Sequence, residues 1–315
     1  MGDAQPVSKP GAPWAHELPR TKGELLSRLQ AVPLLHRLVP RRVAVALALL
    51  RGTIEWWLLP RRRRWALAGA RDVAPDGSSV RDVRRLSRAQ LRERCVQTEL
   101  SWRPWDAARM PIEGLDRLLA TRAQGGVLVA LLHVGPMYSL FHALAAQGVR
   151  ASIVTAARPG EERFTGSAGH WMRTQLELLE AAGHRLVPRG DAYAQVAELL
   201  REGEVCCLAW DVPGPQAVEL LGRPAAVRTG IARLALETGA PILPAFTVRD
   251  GLRQHAVIEA PVAGVIAGGE AELTVELAAR MNAILAAHRA QIQIRRQLSI
   301  FSAAAAPPPL TGSTR

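Results

Sequence analysis

Cysteine is scarce in this 315-residue chain: Cys95, Cys206 and Cys207 are the only three, and the last two are neighbours inside an apolar run. An odd count with that spacing builds neither a disulfide framework nor a zinc site, so the thiols are expected to be small buried hydrophobes in a reducing compartment. Tyr and Phe are also few, two and four, and they are not interleaved with basic residues. A stacking platform for nucleic acid needs that interleaving, so nucleic acid is not an expected partner. Several catalytic signatures are missing. There is no Gly-rich phosphate loop ending in Lys-Ser/Thr, no dinucleotide glycine fingerprint and no His-Glu-x-x-His zinc helix. Without a Gly-x-Ser-x-Gly elbow, a serine hydrolase built on Ser139 is not expected either. The first twenty residues carry Pro and Gly but no apolar core, so they do not read as a secretory signal.

What is present is arginine and aliphatic side chains. Lys and Arg total 40 against 28 Asp and Glu, for a formal charge of +12, almost all of it arginine. Such a surface favours polyanions: nucleic acid, set aside above on the aromatic pattern, anionic lipid headgroups or an acidic carrier protein. Hydrophobic residues make up 48% of the chain. The mean hydropathy of +0.03 is high for a freely soluble protein and too low for a polytopic membrane protein. The length suits one large α/β domain with an appendage, or two small domains.

The most apolar part of the N-terminal third runs from Val43 to Pro60, between Arg41-Arg42 and Arg61 to Arg64. Its aliphatic residues favour insertion by roughly 0.3 to 0.6 kcal/mol each, whereas Arg51 alone costs about 2.5 to 3.5 near a helix centre and Glu55 adds to that. A clean span is therefore not expected. Arg51 and Glu55 stand four apart and can pair on one helical face. Trp56 and Trp57 beside four arginines read as an interfacial anchor. The expectation is a helical hairpin attached to a membrane surface; the alternative is a hairpin buried against the main domain.

Along the chain, residues 1–20 and 302–315 read as disordered, 21–104 as an N-terminal helical, membrane-associating region, and 105–300 as an α/β domain. Thr21 to Glu24 resembles a capping box opening a helix through about Val32. Asp72 to Arg85 reads as a loop, and Ser87 to Gln90 as a second capping box. Beyond residue 112 helices and strands alternate. Helices are expected near 112–122, 137–147, 170–182, after Asp191, after Gly230 and at 273–289. Strands are expected at 126–132, 151–155, 185–187, 204–210, 241–248 and 256–259, with an irregular segment after residue 210. That alternation predicts a layered fold with a largely parallel sheet flanked by helices. Ligands of such sheets gather at the carboxyl ends of strands. The polar residues at those ends are His133, Arg158, Asp211 and Arg249-Asp250. Arg228, Thr229 and Gly230 place a guanidinium and free backbone N–H groups at a helix start, which suits an anion.

Several blocks together resemble the bacterial lipid A lauroyl/myristoyl acyltransferases, within the wider lysophospholipid acyltransferase superfamily. They are Ile112 to Ala120, Gly125 to Pro136 around His133, Arg201 to Gly214 around Asp211, and Leu221 to Phe246, with Arg158-Pro159 where that family has an arginine-proline pair. The resemblance implies transfer of a fatty acyl group from a thioester of acyl carrier protein or coenzyme A to a hydroxyl of a membrane glycolipid or lysophospholipid, with no further cofactor. It implies His133 as general base, Arg158, Arg228, Thr229 and Gly230 as substrate-binding residues, and a place on the cytoplasmic face of the inner membrane. The sequence departs from the family pattern at position 138, where an acid should orient the imidazole and Tyr138 stands instead. Either Asp211 supplies that charge, with Tyr138 in support, or the chain is a non-catalytic lipid-binding relative. The end of the matched region, Ile292 to Leu298, also lacks the family's aromatic-rich close.

Overall fold

A computed structural model describes residues 32–155, 166–262, 269–293 and 300–301. The two terminal segments, the helix expected from Thr21, and Arg158 all lie outside the described residues. The N-terminal helices are α1 (Pro33–Leu38), α2 (Arg41–Leu58), α3 (Pro60–Val73) and α4 (Val80–Ser101). Pro33 and Pro60 stand at the first positions of α1 and α3, where a missing N–H costs nothing, and Pro40 precedes α2. The bend between α2 and α3 is 101°, and no single described helix is long and apolar enough to cross a membrane.

The start of α4 corrects the expected boundary. Ser79 is the cap: its hydroxyl accepts the Asp82 N–H at 3.2 Å, and the Asp82 carboxylate accepts the Ser79 N–H at 3.3 Å. Ser87, expected as a cap, is fully buried within the helix. The turn-forming cluster Pro75 to Ser79 concealed a helix that begins immediately after it.

Against α4, α2 presents Val45, Ala48 and Gly52. A Cβ on Gly52 would meet the Arg92 Cα at 2.5 Å, so this close approach requires glycine. Val43, Leu47, Leu50, Ile54, Trp57 and Leu58 point away and are 47–70% exposed. Trp56 does not share that exposure; it is buried against Ala66 and Leu91, so the expected anchor pair reduces to Trp57. Arg51 donates to Glu55 at 3.1 Å as its spacing predicts, and Arg62 and Arg94 join the same carboxylate. Burial pushes the Glu55 carboxyl upward, but Arg62, Arg51 and Arg94 together hold it below the ordinary value.

After α5 (Pro104–Ala107), the chain builds a seven-stranded sheet in the order β1-β9-β8-β2-β5-β3-β4. Its strands are β1 (Ile112–Glu113), β2 (Val127–Leu131), β3 (Ser152–Thr155), β4 (Arg185–Pro188), β5 (Val205–Ala209), β8 (Ile242–Asp250) and β9 (Arg253–Ile258). All neighbours pair parallel except β8 with β9. Alternating residues serve two cores. Val127, Val129 and Leu131 join α6 (Leu115–Arg122), α7 (Tyr138–Ala146) and α8 (Gly166–Ala181) on one face. Leu128, Ala130 and Leu132 join α9 (Ala192–Arg201), α10 (Gly230–Thr238) and α11 (Glu270–Ala287) on the other. That double burial is why β2 reads as an unbroken apolar run.

Two differences from the expected elements have local causes. The helix expected from residue 112 begins only at Leu115, because Gly114 turns through φ 77° and leaves Ile112–Glu113 to pair with β9. The irregular segment after residue 210 contains an antiparallel hairpin, β6 (Pro213–Leu220) and β7 (Arg223–Val227), turning at Leu221 and Gly222 with φ of 57° and 77°. Pro213, Pro215 and Pro224 masked it in the sequence; a two-stranded ribbon outside the main sheet has edges that accept proline.

Candidate active site

β2 and β5 are parallel neighbours in register, with Leu131 opposite Ala209. Each chain therefore leaves the same edge of the sheet, which brings His133 and Asp211 together. His133 Nδ1–H donates to Asp211 Oδ1 at 2.5 Å. The backbone N–H of His133 donates to Asp211 Oδ2 at 3.0 Å. One carboxylate thus holds both the ring and the main chain of the same residue. The Val212 N–H donates to the Trp210 carbonyl at 2.8 Å, a three-residue turn that swings Asp211 out of the strand direction. His133 is 7% and Asp211 2% exposed, so the pair is shielded from bulk water. With Nδ1 committed as a donor, the neutral ring has its lone pair on Nε2, which is the tautomer a general base needs.

The backbone beyond β2 is fixed from two sides. Gly135 has φ 58°, and a Cβ there would overlap the Thr247 carbonyl oxygen of β8. Its N–H donates to the Gln291 carbonyl at 3.0 Å, and the Gln293 N–H donates to the His133 carbonyl at 2.9 Å. Gln291 is itself tied down: its side chain exchanges bonds of 2.9 and 2.8 Å with the Arg249 backbone, and Gln97 of α4 donates to its carbonyl at 2.8 Å. Residues 291–293 therefore form a strap over the His133 loop, linked to the N-terminal helices. Sequence reasoning missed it; the alternation Gln291-Ile-Gln293 was the only trace.

Tyr138 opens α7 five residues after His133. Its hydroxyl donates to Met172 Sδ at 3.5 Å, and its ring meets Trp171 edge-on with centroids 5.4 Å apart. Trp171 in turn donates to Ser101 Oγ at 3.0 Å, so Tyr138 contributes to the joint of α7, α8 and α4. Arg228 and Gly230 line a separate cleft of about 190 Å³ at the carboxyl ends of β3, β4 and β5, together with Thr155, Arg189 and Val212. Arg228 is exposed and its Nε donates to the Pro213 carbonyl at 3.2 Å. Thr229 precedes α10 without a side-chain cap bond. His133 and Asp211 do not line this cleft, although Val212, next to Asp211, does.

The remaining titratable groups nearby are structural in their contacts. His184 accepts the Ala151 N–H at 3.2 Å and donates to the Phe141 carbonyl at 2.9 Å. His142 has a buried Nε2 with no hydrogen-bond partner among the described residues. Burial, with His184 nearby, lowers its pKa to about 4. Burial pushes the Cys206 thiol up to about 12 and Cys207 further still, so neither offers a thiolate at neutral pH.

Residues 102–292 match the family model described as bacterial lipid A biosynthesis acyltransferase. The match covers more than half of the chain, starts where α4 ends, and includes the whole sheet, the His133–Asp211 pair and the strap as far as Ile292. No curated protein matches the chain.

Proposed function

Because the chain belongs to the bacterial lipid A biosynthesis acyltransferase family, we propose that it transfers a fatty acyl group from a thioester carrier to a hydroxyl of a membrane lipid, with His133 as general base. Acyl transfer to lipid is what the family does at the coarse level. The observation that carries the finer reading is the 2.5 Å bond between His133 and Asp211. Nε2 takes the proton of the acceptor hydroxyl while the oxygen attacks the thioester carbonyl. The tetrahedral intermediate expels the thiolate, which recovers the proton from the imidazolium. The products are an ester and a free thiol. Asp211 stabilises the imidazolium as it forms, the task that an acid at position 138 performs in the family pattern. Tyr138 supports the site through its packing on Trp171.

The cleft holding Arg228, Gly230 and the start of α10 is suited to an anionic group of the donor or acceptor. The carrier in this reading is acyl carrier protein or coenzyme A, and the acceptor a glycolipid or lysophospholipid. The outward aliphatic face of α2 rests on the cytoplasmic face of the inner membrane. A second reading, a lipid-binding relative without turnover, is favoured by the commitment of the Tyr138 hydroxyl to Met172.

The experiment that separates the two is product analysis. Membrane lipids from cells with and without the protein, and from cells with His133→Ala, are compared by mass spectrometry. A heavier acylated lipid that needs His133, with transfer falling about 10²- to 10⁴-fold in the variant, supports the first reading. Undiminished transfer by His133→Ala would remove the general base. Co-purified lipid with no acylated product would favour the second reading.

A further inference from the structure

The strongest unassigned feature is a row of arginines on α4. Arg81, Arg84, Arg85, Arg88 and Arg92 fall at offsets 0, 3, 4, 7 and 11, within about 100° of arc on one helical face. Together with Trp56 and Trp57 they line a cleft of about 520 Å³. Three neighbouring arginines, Arg51, Arg62 and Arg94, share the buried carboxylate of Glu55. The row has no such partner: its one acid is Asp82, 3.9 Å from Arg85 and already engaged by the Ser79 cap. Arg81, Arg84, Arg88 and Arg92 make no ion pair among the described residues, and the Nε of Arg92 is buried without a hydrogen-bond partner. Like charges three and four residues apart disfavour a helix. The sequence therefore maintains a repulsive row, exposed at Arg81, Arg84, Arg85 and Arg88 and half-buried at Arg92, that an anion would relieve.

Position identifies the anion. Trp57 belongs both to this cleft and to the exposed aliphatic face of α2, so the cleft opens beside the surface assigned above to the membrane. We infer that the cleft between α2 and the arginine face of α4 binds the phosphate headgroup of an anionic membrane lipid and thereby fixes the orientation of the molecule on the bilayer. The guanidinium groups supply paired donors to phosphate oxygens. Trp57 supplies a ring at headgroup level. The inference rests on the membrane reading of α2, but it does not depend on turnover.

The test uses the full chain with vesicles of phosphatidylcholine alone or with one third phosphatidylglycerol, followed by tryptophan fluorescence and co-sedimentation. The protein should prefer the anionic vesicles, and the preference should weaken with salt. In Arg81→Gln/Arg84→Gln/Arg88→Gln, affinity for anionic vesicles should fall about 100-fold, to the level seen with neutral vesicles, which α2 still binds. Equal affinity of the triple variant and the original protein for anionic vesicles overturns the inference and leaves the membrane reading of α2 intact. Failure to bind either vesicle overturns both. If the variant keeps its vesicle preference but loses affinity for an acidic carrier protein, the cleft is a protein-docking site and the lipid assignment is wrong. Denaturant midpoints distinguish all of these from loss of fold.

Discussion

A carboxylate bonded to Nδ1 does two things for an imidazole: it fixes which nitrogen holds the proton, and it stabilises the charge that catalysis creates. Asp211→Asn removes both while keeping the size of the side chain. The amide can donate to Nδ1, moving the ring proton to Nε2, the wrong tautomer for a base. Turnover measured with a thioester donor should fall about 10²- to 10⁴-fold, with KM and the urea midpoint nearly unchanged. A larger loss of stability than of turnover would make Asp211 a structural clasp only. His142 gives a pH prediction independent of catalysis. Its folded pKa of about 4 lies below the ordinary 6.5, so only the unfolded chain takes up its proton between those values. The stability it allows is fully present above pH 6.5 and is lost as pH falls towards 4, by about 2 kcal/mol between pH 7 and pH 5. Because its Nε2 has no partner, His142→Leu should flatten that part of the stability profile in urea titrations. An unchanged slope would point to other groups. The positions of His133 and Asp211 at strand ends were legible in the sequence; Tyr138's commitment to Met172 and Trp171 was not, because the partners lie on another helix.

Elements place these residues. The loop after β2 passes beneath the Thr247 carbonyl, and only glycine at 135 fits there, since a side chain meets both a positive φ and an occupied space. Gly135→Ala should cost about 1–3 kcal/mol in unfolding experiments. It should also depress acyl transfer beyond what the lost stability accounts for, because the shift reaches His133 two residues away. Normal turnover in a destabilised variant would show that the loop geometry is not needed for chemistry. Strongly periodic elements were legible at this scale: β2, β5 and α7 lie within a residue or so of the expected bounds. The β6–β7 hairpin was hidden by its prolines, and the start of α4 by a turn-like stretch and an Asp at the third position of the cap. The strap at 291–293 has no local signal strong enough to mark it, since its bonds run to α4, β8 and the His133 loop.

For the whole molecule, the deciding feature is that α2 buries Ala44, Val45, Ala48, Gly52 and Trp56 yet leaves Val43, Leu47, Leu50, Ile54, Trp57 and Leu58 outside, more apolar surface than a helix adapted to water exposes. Replacing Leu47, Leu50 and Ile54 with Ser should weaken vesicle binding by roughly tenfold or more, given roughly 1 kcal/mol for each half-exposed side chain that a membrane covers. The urea midpoint should stay put, because these side chains are not in the core. Retained vesicle binding with a collapsed midpoint would show the face to be structural. Composition and periodicity determined by themselves that the chain is a layered α/β protein with an arginine-rich surface and a histidine and an aspartate at strand ends, because both patterns are local or additive along the chain. Only the tertiary structure decided that β2 and β5 are neighbours, that Asp211 rather than position 138 holds the imidazole, and which face of α2 is left outside. The physical reason is the same in each case. Strand order, a pairing across 78 residues and the choice of face on a helix with apolar residues on more than one side depend on contacts between distant segments, and no window of the sequence contains them.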